Sequence, residues 1–188
     1  MARVLDAASR MIEEVGLERT SIPALAEAAG VPRAAIYPFF PDKYALFAEL
    51  AQMHLQRLAQ AIEASGASRT RTWRTWVAAA IAASADYYNA HPVASALILV
   101  GSFAQSDRDA HAATNRSIGN LLRAEFGRLK QSPALPETPD VATIAVEIAY
   151  ACQRHGYARE GHVSAAICEE ASRAVCAYLA CWETGTPM

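Results

Sequence analysis

The alternation of apolar and polar positions along this chain is helical from end to end. Val4, Leu5, Ala8, Met11, Ile12 and Val15 recur at three- and four-residue intervals, the spacing that lines one face of an α-helix. Gly16 stops that run, as a glycine after the last periodic residue does. Thr20-Ser21 then offers a cap before Ile22, Leu25, Ala26 and Ala29, and Gly30 closes this short second helix. Pro23 falls in its first turn, where backbone N–H groups lack helical partners anyway. A third short helix is predicted from Pro32 to about Tyr37, ended by Pro38, which cannot donate into a continuing helix and biases Tyr37 away from helical angles. Asp42 caps a fourth, with Leu46, Phe47, Leu50, Met53, Leu58 and Ile62 on its stripe. Running to about Ser65, it spans ~35 Å at 1.5 Å per residue.

Beyond the loop Ser65-Gly66-Ala67-Ser68, an Ala-rich helix over 71–90 carries Trp73, Trp76, Ile81, Tyr87 and Tyr88. His91-Pro92 breaks it and starts an apolar helix over 93–104. Ile118, Leu121, Leu122, Phe126 and Leu129 mark the next helix, and the three prolines between Ser132 and Pro139 mark a connection. Two last helices, about 140–154 and 163–182, flank a loop at His155-Gly156-Tyr157. No strand pattern competes, so the expected fold is all-α, with about nine helices.

Composition narrows the function classes. The 188 residues are 53% hydrophobic, 8% aromatic and 19% charged, a globular balance. Seventeen Lys and Arg stand against nineteen Asp and Glu, net −2, so no global positive field points to nucleic acid or an anionic membrane. Any DNA binding must come from local geometry. The uncharged stretch Tyr87–Ser106 is interrupted by Asn89, His91, Pro92 and Gln105. Its apolar part, Val93–Ala104, is too short for a hydrocarbon layer of about 30 Å, and a buried helix is expected there. With no leader pattern at the start and four CxxC-free cysteines near the end, the chain is expected to be cytoplasmic with reduced thiols.

The segment 21–40, SIPALAEAAGVPRAAIYPFF, carries the most information. Two short helices meet at a Gly turn, with the small Ala26 four residues before Gly30 and Leu25, Val31 and Ile36 placed to fill the contact. This is a helix-turn-helix pattern, whose second helix presents its N-terminal side chains to a major groove. A three-helix packing unit without DNA contact would show part of the same pattern. Here the preceding EEVGLERTS and the following IYPFFPDKYALF agree with it as well.

Over residues 3–50 the chain resembles the TetR family of bacterial transcriptional regulators. The resemblance implies a DNA-binding domain at 1–49 and a ligand-sensing, dimerising domain at 50–188. It implies that Thr20 and Ser21 cap the second helix and donate to a phosphate. Pro32, Arg33, Ala34 and Ala35 then open the recognition helix, where base edges are reached. Tyr37 and Lys43 correspond to phosphate contacts, and Phe40 to a buried aromatic locking the third helix in place. Three departures weaken the grip: Pro32 stands where Ser or Thr is frequent, Pro38 where His, Tyr or Arg is common, and Ala34-Ala35 where Gly-Thr or Gly-Ser is frequent. Residues 1–50 carry five cations against seven acids, and only Ala2-Arg3 remains of a basic arm. Few phosphate contacts and a shallow salt dependence follow.

In the C-terminal part, Trp73, Trp76, Tyr87, Tyr88, Phe103 and Tyr150 either pack a core or line an apolar cavity. By the family resemblance such a pocket holds a small-molecule effector, with His91, Asn115, Arg116 and Glu147 as polar candidates; Arg116 and Glu147 can equally pair with each other or with solvent. Cys152 and His155 share a helical face, but no further ligands stand at metal-binding spacing. No nucleophile turn of the G-x-S-x-G kind occurs, so neither metal, cofactor nor catalysis is expected. The helices about 140–154 and 163–182 are apolar or small on two faces, which calls for covering twice. A second copy is the expected cover, giving a homodimer able to read a pseudo-palindromic operator, most simply as a repressor released by a small apolar or aromatic ligand. A ligand-binding helical dimer that has lost operator binding is the alternative, and a small enzyme using the same pocket is a third.

Overall fold

The computed structural model describes residues 1–65, 72–100, 105–129 and 131–183, with only the backbone of 105–110. The described residues form eight α-helices and no β-strand: α1 Ala2–Arg19, α2 Ile22–Ala29, α3 Lys43–Ala64, α4 Trp73–Ala90, α5 Pro92–Ala94, α6 Gln105–Arg128, α7 Val141–Glu160 and α8 Ala165–Ala180.

Local chemistry sets most boundaries. Gly16 leaves the helical region at φ 78°, kinking α1 before its last turn; a side chain there would meet the steric penalty of the left-handed region. Gly30, at φ 64°, closes α2 while the Val31 N–H donates to the Ala26 carbonyl at 2.9 Å. Asp42 caps α3 through the Ala45 N–H at 2.8 Å, and Thr72 caps α4 through the Thr75 N–H at 3.2 Å.

Three segments differ from the pattern-based expectation. The third helix is a single 3-10 turn, Arg33–Ala35. Its Ala35 and Ile36 N–H groups donate to the Pro32 and Arg33 carbonyls, both at 2.9 Å. Pro38 has no N–H to offer the Ala34 carbonyl, so an α-helical ladder cannot form across it. The apolar segment after Pro92 widens into a π-turn over Ser95–Val100, so its helix is not regular. The expected loop at His155-Gly156-Tyr157 is helical. α7 runs through it to Glu160 and ends at Gly161, φ 74°.

Gly156 lies inside α7 because of packing. A Cβ there would stand 2.5 Å from Cγ1 of Ile167, so its bare backbone lets α8 lie close against α7. Gly119 plays the same part between α6 and α7, where a Cβ would meet Thr143 Oγ1 at 2.8 Å.

The long helix α3 joins the two ends of the molecule. Leu46, Phe47 and Leu50 are buried near the start of α3, which meets α1, while Leu55, Leu58 and Ile62 are buried further along the helix, which also meets α4 and α6. α1 also touches α5 and the π-turn. No described helix is long and apolar enough to cross a membrane.

Candidate functional site

Two places combine exposed or unpartnered chemistry: the tip formed by the α2–α3 segment, and a partly open cavity among α3, α4, α6, α7 and α8.

At the tip, Ser21 Oγ accepts from the Ala24 N–H at 3.4 Å, leaving its own proton to donate. Arg33, Ala34 and Ala35 are all exposed on the 3-10 turn, between the exposed rings of Pro32 and Pro38. Tyr37 is 48% exposed, and Phe40 is buried beneath the turn. Two of the expected donors are differently engaged. Thr20 is only 1% exposed, and its hydroxyl donates to the Gly16 carbonyl at 2.9 Å, bridging the kink in α1. The Lys43 ammonium donates to the carbonyls of Leu17 and Glu18, at 3.3 and 3.0 Å, at the end of α1. It thus ties α3 to α1 and satisfies helix-end carbonyls. Arg3 is likewise spent on the Ala29 carbonyl at 2.7 Å, at the end of α2.

Sequence reasoning passed over Phe39 and Tyr44, which are 65% and 60% exposed beside Tyr37. Their signal was available: both are large aromatics off the apolar stripe of their element. The exposed tip therefore carries three aromatic rings and one free guanidinium, a surface for stacking and apolar contact more than for ion pairing.

The cavity encloses about 60 Å³. Its wall is mostly aliphatic, from Leu58 and Ile62 of α3 to Val175 of α8. Of the residues expected to face a ligand, Trp76, Tyr88, Asn115 and Tyr150 line it. The others do not. Trp73 is buried against Phe126, with its ring N–H donating to Glu183 at 3.1 Å. Tyr87 and His91 stack 4.1 Å apart and belong to a separate cluster with His54. Glu147 is exposed outside the wall and accepts from Asn115 Nδ2 at 2.8 Å. Arg116 is exposed and unpaired with Glu147. Phe103 lies outside the described residues.

Ser84 and Gln153 were missed. Gln153 donates through Nε2 to Ser84 Oγ at 2.6 Å and to the Ile81 carbonyl at 3.2 Å, inside the wall. Each is the polar position of a stripe that is otherwise apolar or aromatic, Ser84 after Ala80 and before Tyr88, Gln153 after Val146 and Ala149. A polar residue on a core face is the signal that would have found them. Tyr150 anchors the π-turn by donating to the Ile98 carbonyl at 2.9 Å. A wider groove between α3 and α6 mixes polar residues such as Gln52, Gln56, Gln60 and Ser117 with apolar ones such as Ile118 and Leu121.

The outer faces of α7 and α8 remain partly uncovered. Ile144 is exposed, Ile148, Cys168 and Cys176 are half-buried, and all four cysteines are free thiols. Burial pushes the thiols of Cys152, Cys168 and Cys176 above the ordinary cysteine range.

Residues 4–50 match the family model described as bacterial regulatory proteins, tetR family. The chain is 44% identical over 50 residues to the HTH-type transcriptional regulator AcrR of Shigella flexneri, a match covering 27% of this chain and 23% of that protein. It thus spans about a quarter of that relative's length. Over nearly the whole chain the fold matches that of a TetR-family transcriptional regulator from Streptomyces coelicolor, at 25% identity, TM-score 0.67 and coverage of 96% of this chain and 98% of the other. It also matches the multidrug binding protein EbrR complexed with imidazole, at 16% identity, TM-score 0.73 and coverage of 100% and 96%.

Proposed function

We propose that this chain, whose residues 4–50 match the family model of bacterial tetR regulators and whose fold matches that of a TetR-family regulator, binds operator DNA as a homodimer and regulates transcription, as a repressor released when a small molecule occupies the cavity. The observation that carries this reading is the exposed presentation of Arg33-Ala34-Ala35 and Tyr37 beyond the glycine-closed α2, on a base fixed by Lys43 and Arg3. Arg33 supplies the guanidinium for a guanine edge or a phosphate, and the Ala methyl groups suit thymine methyls. Ser21 and Tyr37 supply neutral donors to phosphate.

The first domain, 1–49, reads DNA, and the second, 50–188, senses ligand and pairs with its copy through the outer faces of α7 and α8. Leu58 and Ile62 of α3 form cavity wall, while Leu46 and Leu50 of the same helix hold the reading tip. A space of about 60 Å³ is smaller than a drug-sized ligand needs. Occupancy therefore spreads the helices, tilts α3, and changes the separation of the two tips from the ~34–36 Å of successive major grooves. By linkage, DNA weakens ligand binding by the same factor. Regulators of this family are generally not enzymes, and the reading assigns no catalytic residue.

One observation favours a second reading, a ligand-binding dimer without operator affinity. Thr20, Lys43 and Arg3 are all spent inside the protein, and the recognition element is one 3-10 turn.

Selection of bound duplexes from a random pool decides between them. On the regulator reading a pseudo-palindromic sequence emerges, and Arg33→Ala and Tyr37→Ala lose its specific binding while keeping fold and dimer. Equal, salt-sensitive binding to selected and scrambled DNA would overturn that reading and leave the second.

A further inference from the structure

We propose that the cavity takes an uncharged, largely apolar molecule carrying a hydroxyl group, held by the Tyr88 hydroxyl and by the side-chain carbonyl of Gln153 or Asn115. The inference rests on the reading of this cavity as the effector site.

The three groups share a chemical state. Tyr88, Gln153 and Asn115 are 3%, 3% and 4% exposed, and all line the cavity. Gln153 spends Nε2 on Ile81 and Ser84. Because the Ile81 carbonyl can only accept, the amide orientation is fixed and Oε1 is the atom left over. Asn115 spends Nδ2 on the Glu147 carboxylate, again an acceptor, so Oδ1 is left over. Neither oxygen has a hydrogen-bond partner among the described residues, and neither has the Tyr88 hydroxyl. The other wall hydroxyls are committed, Ser84 to the Ile81 carbonyl and Tyr150 to the Ile98 carbonyl.

These atoms keep accessible surface toward the cavity, and in so apolar a wall they are best met by a polar group on whatever occupies it. The spare set is one donor and two acceptors. Burial, with Tyr150 and Tyr87 close by, pushes the Tyr88 phenol well above its ordinary range, so it stays a donor. A hydroxyl is the smallest group that both donates to Gln153 or Asn115 and accepts from Tyr88. No described lining residue carries a formal charge, and the Glu147 carboxylate is held outside by Asn115. A charged ligand would be buried without a counter-ion. The small volume, about 60 Å³, favours a single-ring skeleton.

Calorimetric titration of the DNA-free, full-length protein with 4-ethylphenol, 4-ethyltoluene, 4-ethylbenzoate and 4-ethylphenyltrimethylammonium tests this. The phenol is expected to bind at least about tenfold tighter than the toluene, and both ions no tighter than the toluene. Tyr88→Phe removes one oxygen without changing shape, and Gln153→Leu removes the amide; each narrows the phenol-to-toluene ratio by at least threefold. Binding of either ion as tight as the phenol, a wild-type ratio near one, a ratio unmoved by both variants, or no binding by any of the four would overturn the inference. Adding the same compounds to the protein–operator complex separates the two readings. A phenol that binds with this selectivity but leaves DNA bound sinks the effector reading alone; release by an ion while the phenol fails sinks this inference alone.

Discussion

Nδ1 of His54 and the hydroxyl of Tyr87 lie 2.9 Å apart, joining α3 to α4. The half-buried His91 ring stacks on Tyr87 and meets His54 edge-on, so the two imidazoles and the phenol form one layer. Burial, aided by the nearby Arg57 and His91, lowers the His54 pKa from 6.5 to about 4. The imidazole is therefore neutral at physiological pH, and a proton on it would add a cation beside Arg57.

Stability is expected to follow that titration. The unfolded chain protonates His54 near pH 6.5 and the folded chain only near 4. Folding stability therefore falls as pH drops through this window, by up to about 3 kcal/mol, and is unaffected above it. Denaturation midpoints at pH 7.5 and pH 5 measure the loss, and His54→Gln should remove its share of it. Identical pH slopes in wild type and variant would refute the assignment.

Thr20 is expected to act on stability and not on the operator. Thr20→Val keeps its shape but leaves the Gly16 carbonyl without the hydroxyl bond, a loss of about 1–3 kcal/mol. The slope of log K against log salt for DNA binding should stay the same, since no phosphate contact is lost. A shallower slope would mean that Thr20 turns outward on DNA.

Pro38→Arg is expected to strengthen operator binding. The substitution restores an N–H able to reach the Ala34 carbonyl, so the turn at Arg33–Ala35 can lengthen, and it adds an exposed cation. Affinity should rise and the salt slope steepen by about one. Pro38→Ala, lacking the charge, should leave the slope alone; equal slopes in the two variants would contradict the added contact.

Gly156 and Ile167 should behave as a coupled pair. Gly156→Ala places a methyl 2.5 Å from Ile167 Cγ1, and overpacking of this kind costs about 1–3 kcal/mol, more than the gain in helix propensity. Ile167→Ala in the same chain should recover part of that loss. A double-mutant cycle by urea denaturation reads the coupling, and purely additive effects would show that the helices simply move apart.

Much of this protein is legible in its sequence because the deciding physics is local. Apolar spacing placed the stripes of α1, α3 and α4. Ser21, Asp42, Gly16 and Gly30 set boundaries through caps and backbone angles that involve only near neighbours. The exposure of Arg33, Ala34 and Ala35 was implied by the family resemblance and not by these local rules.

What the sequence left open depended on contacts between distant segments. Gly156 reads as a loop residue, yet it is helical because Ile167, eleven positions on, occupies the space of its missing side chain. Thr20 and Lys43 read as outward donors, yet the fold turns them onto carbonyls of α1. Trp76 and Tyr88 share a face with the cavity while Trp73 and Tyr87 do not. Composition cannot separate aromatics on one helix, since only the packing of α6, α7 and α8 around it determines which rings meet a void. The sequence by itself determined most helices and their caps, because hydrogen bonds and periodicity act within a few residues. The tertiary structure decided which polar atoms are spent and which are left unpaired in the cavity, because that is settled only when remote helices close on one another.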